Sequence, residues 1–236
     1  MKYICAIVKT SKYAVSASGD SAEVVERPLG GLSGLVVDAQ GSGRAAKALS
    51  TSLVGKAASL INDGIRDGAV ARAIHDLLYA QKNGRVSATI SIISLAADTN
   101  TMVITRCGNC PVFTFSPSGS LRFDAPTDPL GFYRFTRPQV DQVELEPGLL
   151  AVTFSDGVFN AGRRRDRALD SPAWESVIAA YSREAGSPAL LAEKILQHAL
   201  ALDDNMANDD MTVMILGILD VEADGIRRLQ VEYPVG

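Results

Sequence analysis

Two pairs of amphipathic helical segments are set between short β-rich runs, and this alternation limits the architecture more than any other feature of the chain. From Ser42 to Asn62 the apolar residues Ala45, Ala46, Leu49, Leu53, Ala57, Leu60 and Ile61 recur at intervals of three and four, until Asn62-Asp63-Gly64 breaks the pattern. Val70, Ala73, Ile74, Leu77 and Leu78 repeat the signature before Asn83-Gly84. Pro172 to Ala185 and Pro188 to Leu202 form the second pair, each with a proline near its start, where a missing N–H costs nothing. Tyr3–Val8, Gly34–Val37, Ser87–Leu95, Met102–Arg106, Val112–Phe115, Leu149–Phe154 and Met211–Leu219 read as strands. Helices with a single apolar stripe must cover something, and sheets are what the chain offers. The expectation is an α/β sandwich of two sheets with helices outside. The first two runs should pair with each other, and the runs from Ser87 to Phe154 should form an antiparallel meander. With no long linker, repeat or low-complexity tract, residues 1–236 read as one domain.

Composition removes several function classes. Hydrophobic residues make up 47% and charged residues 21% of the 236, so the chain is neither disordered nor fibrous. A net charge of -4 argues against nucleic-acid binding, which concentrates Lys and Arg against phosphates. No apolar run approaches the roughly 20 residues of a membrane span. Lys9 and Lys12 break the apolar start Tyr3–Val8, so that segment reads as a strand and not a leader. Three cysteines make an odd count without a disulfide framework, which fits a reducing cytoplasm.

Familiar catalytic signatures are missing or incomplete. The chain has no GxSxG elbow and no GxxxxGK loop, and its only histidines, His75 and His198, lie on helical segments. Cys107-Gly108-Asn109-Cys110 imitates a redox pair but is flanked by strands, so it reads as a hairpin turn. Gly41-Ser42-Gly43-Arg44-Ala45-Ala46 imitates a dinucleotide loop. The acidic residue twenty positions on, Asp63, stops a helix where such a site needs it at a strand end.

Carboxylates at strand ends are the sharper pattern. Asp20 follows Ser18-Gly19 in an apparent turn, Asp38 ends Gly34–Val37, Asp156 lies in Ser-Asp-Gly, and Asp209-Asp210 precedes Met211–Leu219. Each alone is an ordinary turn or cap residue. Brought together they would repel and hold protons unless cations neutralised them, and an all-oxygen set suits Mg²⁺ or Mn²⁺.

These segments resemble a known family. Ser18-Gly19-Asp20, then Gly34 to Asp38 with Ala39-Gln40-Gly41-Ser42-Gly43, then Thr153-Phe-Ser-Asp156-Gly157-Val158, then Asn208-Asp209-Asp210-Met211-Thr212-Val213 are similar, in order, to the PPM-type (protein phosphatase 2C-like) metal-dependent protein phosphatases. Ser87-Ala88-Thr89 and Arg106 to Pro111 resemble the family's Ala-Thr strand and its Asn-x-Gly-x-x-Pro hairpin. The similarity runs to the bacterial SpoIIE-like branch, especially its stand-alone RsbX-like members.

The resemblance implies an α+β, four-layer sandwich of two mostly antiparallel sheets flanked by helix pairs, with a centre of two Mn²⁺ or Mg²⁺ ions. Asp38 would bridge both ions, and Asp156 with Asp209 would hold one. Asp20, directly or through water, would hold the other with the carbonyl of Ala39; whether Asp209 or Asp210 is the ligand stays open. It implies a cytoplasmic phosphoserine/phosphothreonine protein phosphatase, monomer or weak dimer, acting on a phosphorylated STAS-type regulator in a stress or sigma-factor partner-switching pathway. A catalytically silent partner-binding module is the alternative. Where the family commonly has Asp-Gly-His-Gly this chain reads Asp38-Ala39-Gln40-Gly41, and Gln40 cannot serve as a general acid. Arg163, Arg164, Arg165 and Arg167, the one dense basic cluster, read either as a solvated loop or as a docking point for an acidic phosphoprotein.

Overall fold

In the computed structural model, which describes residues 1–232, two antiparallel five-stranded sheets lie face to face with helices outside both. In chain order the strands are β1 (Lys2–Thr10), β2 (Asp20–Glu26), β3 (Gly31–Ala39), β4 (Ala88–Ala96), β5 (Thr101–Cys107), β6 (Val112–Ser116), β7 (Gly119–Phe123), β8 (Gln139–Glu144), β9 (Leu150–Phe154) and β10 (Met211–Leu219). The helices are α1 (Gly43–Asn62), α2 (Asp67–Lys82), the short α3 (Asp156–Phe159), α4 (Ser171–Glu184) and α5 (Pro188–Leu202). One sheet has the order β1-β10-β9-β6-β7 and the other β2-β3-β4-β5-β8.

The two-residue period of a strand explains the layers. Leu35 and Val37 of β3 point outward and pack with Leu53, Ala57 and Ile61 of α1 and Ile74 and Leu78 of α2. Between them, Val36 points inward and joins Ile93, Ile104, Val112, Met214 and Leu216 between the sheets. On the far side Trp174 and Ile178 of α4 and Leu191 and Ile195 of α5 cover Val152, Phe154, Val213 and Ile215. Asp170 and Ser187 cap α4 and α5 by accepting the N–H of Ala173 and Leu190.

Two pairings differ from the sequence reading. β1 does not pair with β3; it pairs with β10, and β3 lies in the other sheet between β2 and β4. The runs from Ser87 to Phe154 do not form one meander, because β4 and β5 belong to one sheet and β6 and β9 to the other. Cys107–Cys110 is therefore a crossing from sheet to sheet and not a hairpin. The strands that escaped notice, β2, β7 and β8, all lie at a sheet edge or next to solvent, and their polar residues hide the apolar period.

Candidate functional site

Asp20 is the first residue of β2, not a turn residue, and lies directly opposite Asp38 in the β2–β3 register. In the next strand pair Ala39 faces Ala88, whose N–H and C=O both bond Leu130. Alternation along an antiparallel ladder then makes Asp20 and Asp38 a pair whose backbone groups point away from each other, the kind with the closer side chains. The outward carbonyl of Asp20 accepts the ammonium groups of Lys9 and Lys47, at 2.9 and 3.0 Å. The Asp20 carboxylate is fully buried; its Oδ2 accepts from Thr212 Oγ1 at 2.6 Å, and its Oδ1 has no partner.

Asp156 and Asp209 come from the other sheet. Ser155 is locked to β10: its N–H donates to the Thr212 carbonyl, and its Oγ accepts the Thr212 N–H at 2.9 Å. Asp156 then opens α3, and the next residue must be glycine, since a Cβ on Gly157 would come within 2.0 Å of the Asp210 carbonyl oxygen. The two neighbouring aspartates separate by role. Asp210 is buried, and its two oxygens accept the N–H of Lys12 at 2.8 Å and of Gly19 at 2.7 Å, which pins the β1–β2 loop. Asp209 keeps its carboxylate free apart from one bond from the N–H of Asp210.

Asp38 feels the charge of the other three carboxylates. Burial, then the charges of Asp20 and Asp156, a hydrogen bond with Asp156 and the charge of Asp209 push the Asp38 carboxyl up to about 10. Burial above all raises Asp20 to about 7, and burial also raises Asp209. The thiol of Cys110 is driven up by burial and then by Asp156, Asp38 and Asp20. Lys9 and Lys47 stand nearby but spend their hydrogen bonds on the backbone of Asp20 and on Ser21.

A hard divalent cation fits this donor set. An unpartnered buried carboxylate oxygen and a carboxyl that holds its proton far above the usual range are what a missing positive charge leaves behind. Among the described residues, no three His, Cys, Asp or Glu side chains stand close enough together to hold a metal ion as they are placed. Mg²⁺ in particular takes few protein ligands and keeps several waters.

Other sequence candidates fall elsewhere. Gln40 Oε1 accepts from the N–H and Oγ of Ser87, so this side chain ties β3 to the start of β4. Neither histidine belongs to the cluster: His75 Nδ1 accepts the Gly131 N–H, and His198 Nδ1 pairs with the Tyr181 hydroxyl. The arginine cluster divides. Arg165 and Arg167 hold Asp204 at 2.6 and 3.0 Å, while Arg163 and Arg164 form no ion pair among the described residues. Nothing in the sequence gives Lys9 or Lys47 a role at the carboxylates, and Thr212 has only its place beside Asp209-Asp210.

Two face-to-face sheets, paired helices on both flanks and carboxylates gathered at one end define the fold of PP2C-type phosphatases. The chain belongs to the SpoIIE family: the model of Stage II sporulation protein E (SpoIIE) matches residues 29–219, a stretch that includes Asp38, Asp156 and Asp209. Among solved structures it is similar to the PP2C phosphatase domain, with a fragment of the regulatory domain, of the cell fate determinant SpoIIE from Bacillus subtilis. The TM-score is 0.78 at 20% identity over 92% of this chain, which spans 64% of that longer one. The SpoIIE phosphatase domain in a crystal form without domain swapping gives 0.71 at 16% identity, over 97% of this chain and 98% of that one. Serine/threonine phosphatase Stp1 from Staphylococcus aureus gives 0.73 at 11% identity, over 92% and 96%. None of the curated proteins matches the chain.

Proposed function

We propose that the chain is a metal-dependent phosphoserine/phosphothreonine protein phosphatase, with residues 1–236 forming one catalytic domain. The observation that carries this reading is the facing pair of Asp20, fully buried, and Asp38, half-buried, joined by Asp156 and Asp209 from the other sheet, while the nearby Lys9 and Lys47 are bonded to the Asp20 carbonyl and Ser21. Asp38 would hold two Mn²⁺ or Mg²⁺ ions, Asp156 and Asp209 one of them, and Asp20 with the Ala39 carbonyl the other. When bound, such ions acidify a shared water and neutralise phosphoryl oxygens.

The chain's own groups set the rest. Thr212 orients the Asp20 carboxylate across the gap between the sheets, and Asp210 leaves Asp209 free by fastening the loop before β2. No side chain of the cluster is a nucleophile, since the buried thiols of Cys107 and Cys110 are pushed far from ionisation. Gln40 gives its oxygen to Ser87 and its amide is too weak an acid to protonate a leaving group, so that proton would come from water or another group.

By resemblance to its family, the substrate is a phosphorylated STAS-type regulator of a cytoplasmic partner-switching pathway, met by a monomer or weak dimer. Arg163 and Arg164, which form no ion pair among the described residues although Arg164 donates to Asn208 Oδ1 at 3.4 Å, would meet acidic groups of that substrate. A silent, partner-binding relative is the second reading, favoured by Gln40 standing at the histidine position. Calorimetric titration with Mn²⁺ tests the ligand set. Two ions per chain, with binding weakened at least tenfold by Asp38→Asn, agree with it; equal binding by both proteins removes Asp38 from the site.

A further inference from the structure

Asp20 opens an edge strand: β2 pairs with β3 on one side, and no strand of its sheet lies on the other. Since Asp20 and Asp38 turn their backbone groups apart, the N–H and C=O of Asp20 point to that open side, where the end of a strand ordinarily frays. Here both are taken. The N–H donates to Ser18 Oγ at 3.2 Å, and the carbonyl accepts Lys9 Nζ at 2.9 Å and Lys47 Nζ at 3.0 Å. Thr212 Oγ1 holds Oδ2, so Oδ1 is the one polar atom of Asp20 without a partner.

The two lysines come from different layers, Lys9 from β1 in the other sheet and Lys47 from α1. Lys47 also donates to Ser21 Oγ at 2.9 Å, and that oxygen lies 2.8 Å from Oγ of the fully buried Ser50, about one turn further along α1. Three elements are thus tied together at the backbone of one carboxylate. Neither ammonium forms an ion pair among the described residues. Charge alone disfavours this arrangement, because two like charges meet at one oxygen and both repel a divalent cation nearby. An ion pair with the Asp20 carboxylate would relieve the repulsion but occupy the oxygens a cation needs. Bonding to the carbonyl leaves the side chain open and fixes the backbone that aims it.

We propose that Lys9 and Lys47 are positioning residues for the cation held by Asp20: they clamp the start of β2 so that Oδ1 is presented to the ion without rearrangement. The inference rests on the reading of Asp20 as a metal ligand. The sign of its effect separates it from a plain charge effect. As positive charges alone the lysines would weaken Mn²⁺ binding, and their removal would tighten it. As a clamp their removal frees the ligand and weakens binding by about tenfold or more, the scale for groups that hold a ligand in place.

The test is calorimetric titration of the full chain with Mn²⁺, comparing the unaltered protein with Asp20→Asn, Lys9→Met/Lys47→Met and Lys9→Arg/Lys47→Arg. Asp20→Asn and the methionine variant should both lose about tenfold or more in affinity at the same one of two sites, and the arginine variant, which keeps a cationic donor, should recover most of the loss. Electron paramagnetic resonance at two Mn²⁺ per chain should show the coupled signal of an ion pair in the unaltered protein and the six-line signal of isolated ions in the methionine variant. Each single Lys→Met variant should show the same direction of change, and serves if the double one does not fold. Equal or tighter binding in the methionine variant, with binding weakened in Asp20→Asn, overturns the proposal and leaves the ligand set standing. A loss that arginine does not recover and that accompanies a lower metal-free thermal midpoint makes the lysines supports of the fold only, and overturns it too. Undiminished binding by Asp20→Asn removes Asp20 from the ligand set and the proposal with it.

Discussion

Asp20 and Asp38 face each other across the β2–β3 ladder as a pair whose backbone groups point apart, which sets a buried and a half-buried carboxyl side by side. Their raised values, about 7 and about 10 against an ordinary 3.8, mean that the folded, metal-free chain keeps protons the unfolded chain would release. Their contribution to stability is fully present below about pH 4 and is lost as pH rises, through 7 for Asp20 and on toward 10 for Asp38. In excess chelator the urea midpoint should fall from pH 5.5 to 8.5, and Asp38→Asn should flatten that fall. A flat profile in the unaltered protein would contradict the burial of these charges. Metal affinity should run the other way and rise with pH, because cation and proton compete for the same oxygens.

Asp209 and Asp210 should separate cleanly by mutation. Asp210→Asn turns an amide NH₂ toward a backbone N–H donor, at Lys12 or Gly19, and should cost about 1–3 kcal/mol in urea unfolding. Asp209→Asn should leave stability nearly unchanged while weakening Mn²⁺ binding. The reverse result would exchange the two roles.

Gly157→Ala should lower stability by at least about 2 kcal/mol, since the new methyl meets backbone at 2.0 Å and backbone cannot step aside as a flexible side chain could. The loss should appear in thermal unfolding with and without Mn²⁺. A normal midpoint would mean that the Ser-Asp-Gly loop is not held against Asp210.

The sequence made the site legible where chemistry and pattern coincide, and illegible where only the third dimension decides. β3, β4 and β10 are buried on both faces, so their apolar runs announce strands, and Asp38 could be placed at the end of one. β2 lies at an edge with Glu23 and Glu26 facing out, so Asp20 looked like a turn residue. The adjacent Asp209 and Asp210 are indistinguishable until the backbone of Lys12 and Gly19 arrives from nearly two hundred residues away. Lys9 and Lys47 likewise share the Asp20 carbonyl only because β1 and α1 meet there. The arginine cluster read as one unit, yet Asp204 takes Arg165 and Arg167 out of it.

Replacing Cys107 and Cys110 together by Ser should leave hydrolysis within a few-fold. Both thiols are buried in the crossing between sheets, and Cys107 is pushed up to about 12. A thiol-reactive dye should label them only after unfolding. Rapid labelling of the folded protein, or loss of turnover with normal Mn²⁺ binding, would revive a redox or regulatory role for the pair.

The most direct measurement of the central claim is the steady-state hydrolysis of p-nitrophenyl phosphate by the purified chain, with Mn²⁺ added, removed by chelator and restored. The carboxylate site predicts turnover that saturates with Mn²⁺, disappears in chelator, returns on re-addition and falls by orders of magnitude in Asp38→Asn and in Asp156→Asn. Undiminished turnover in excess chelator, or near-normal turnover in either variant, would contradict it.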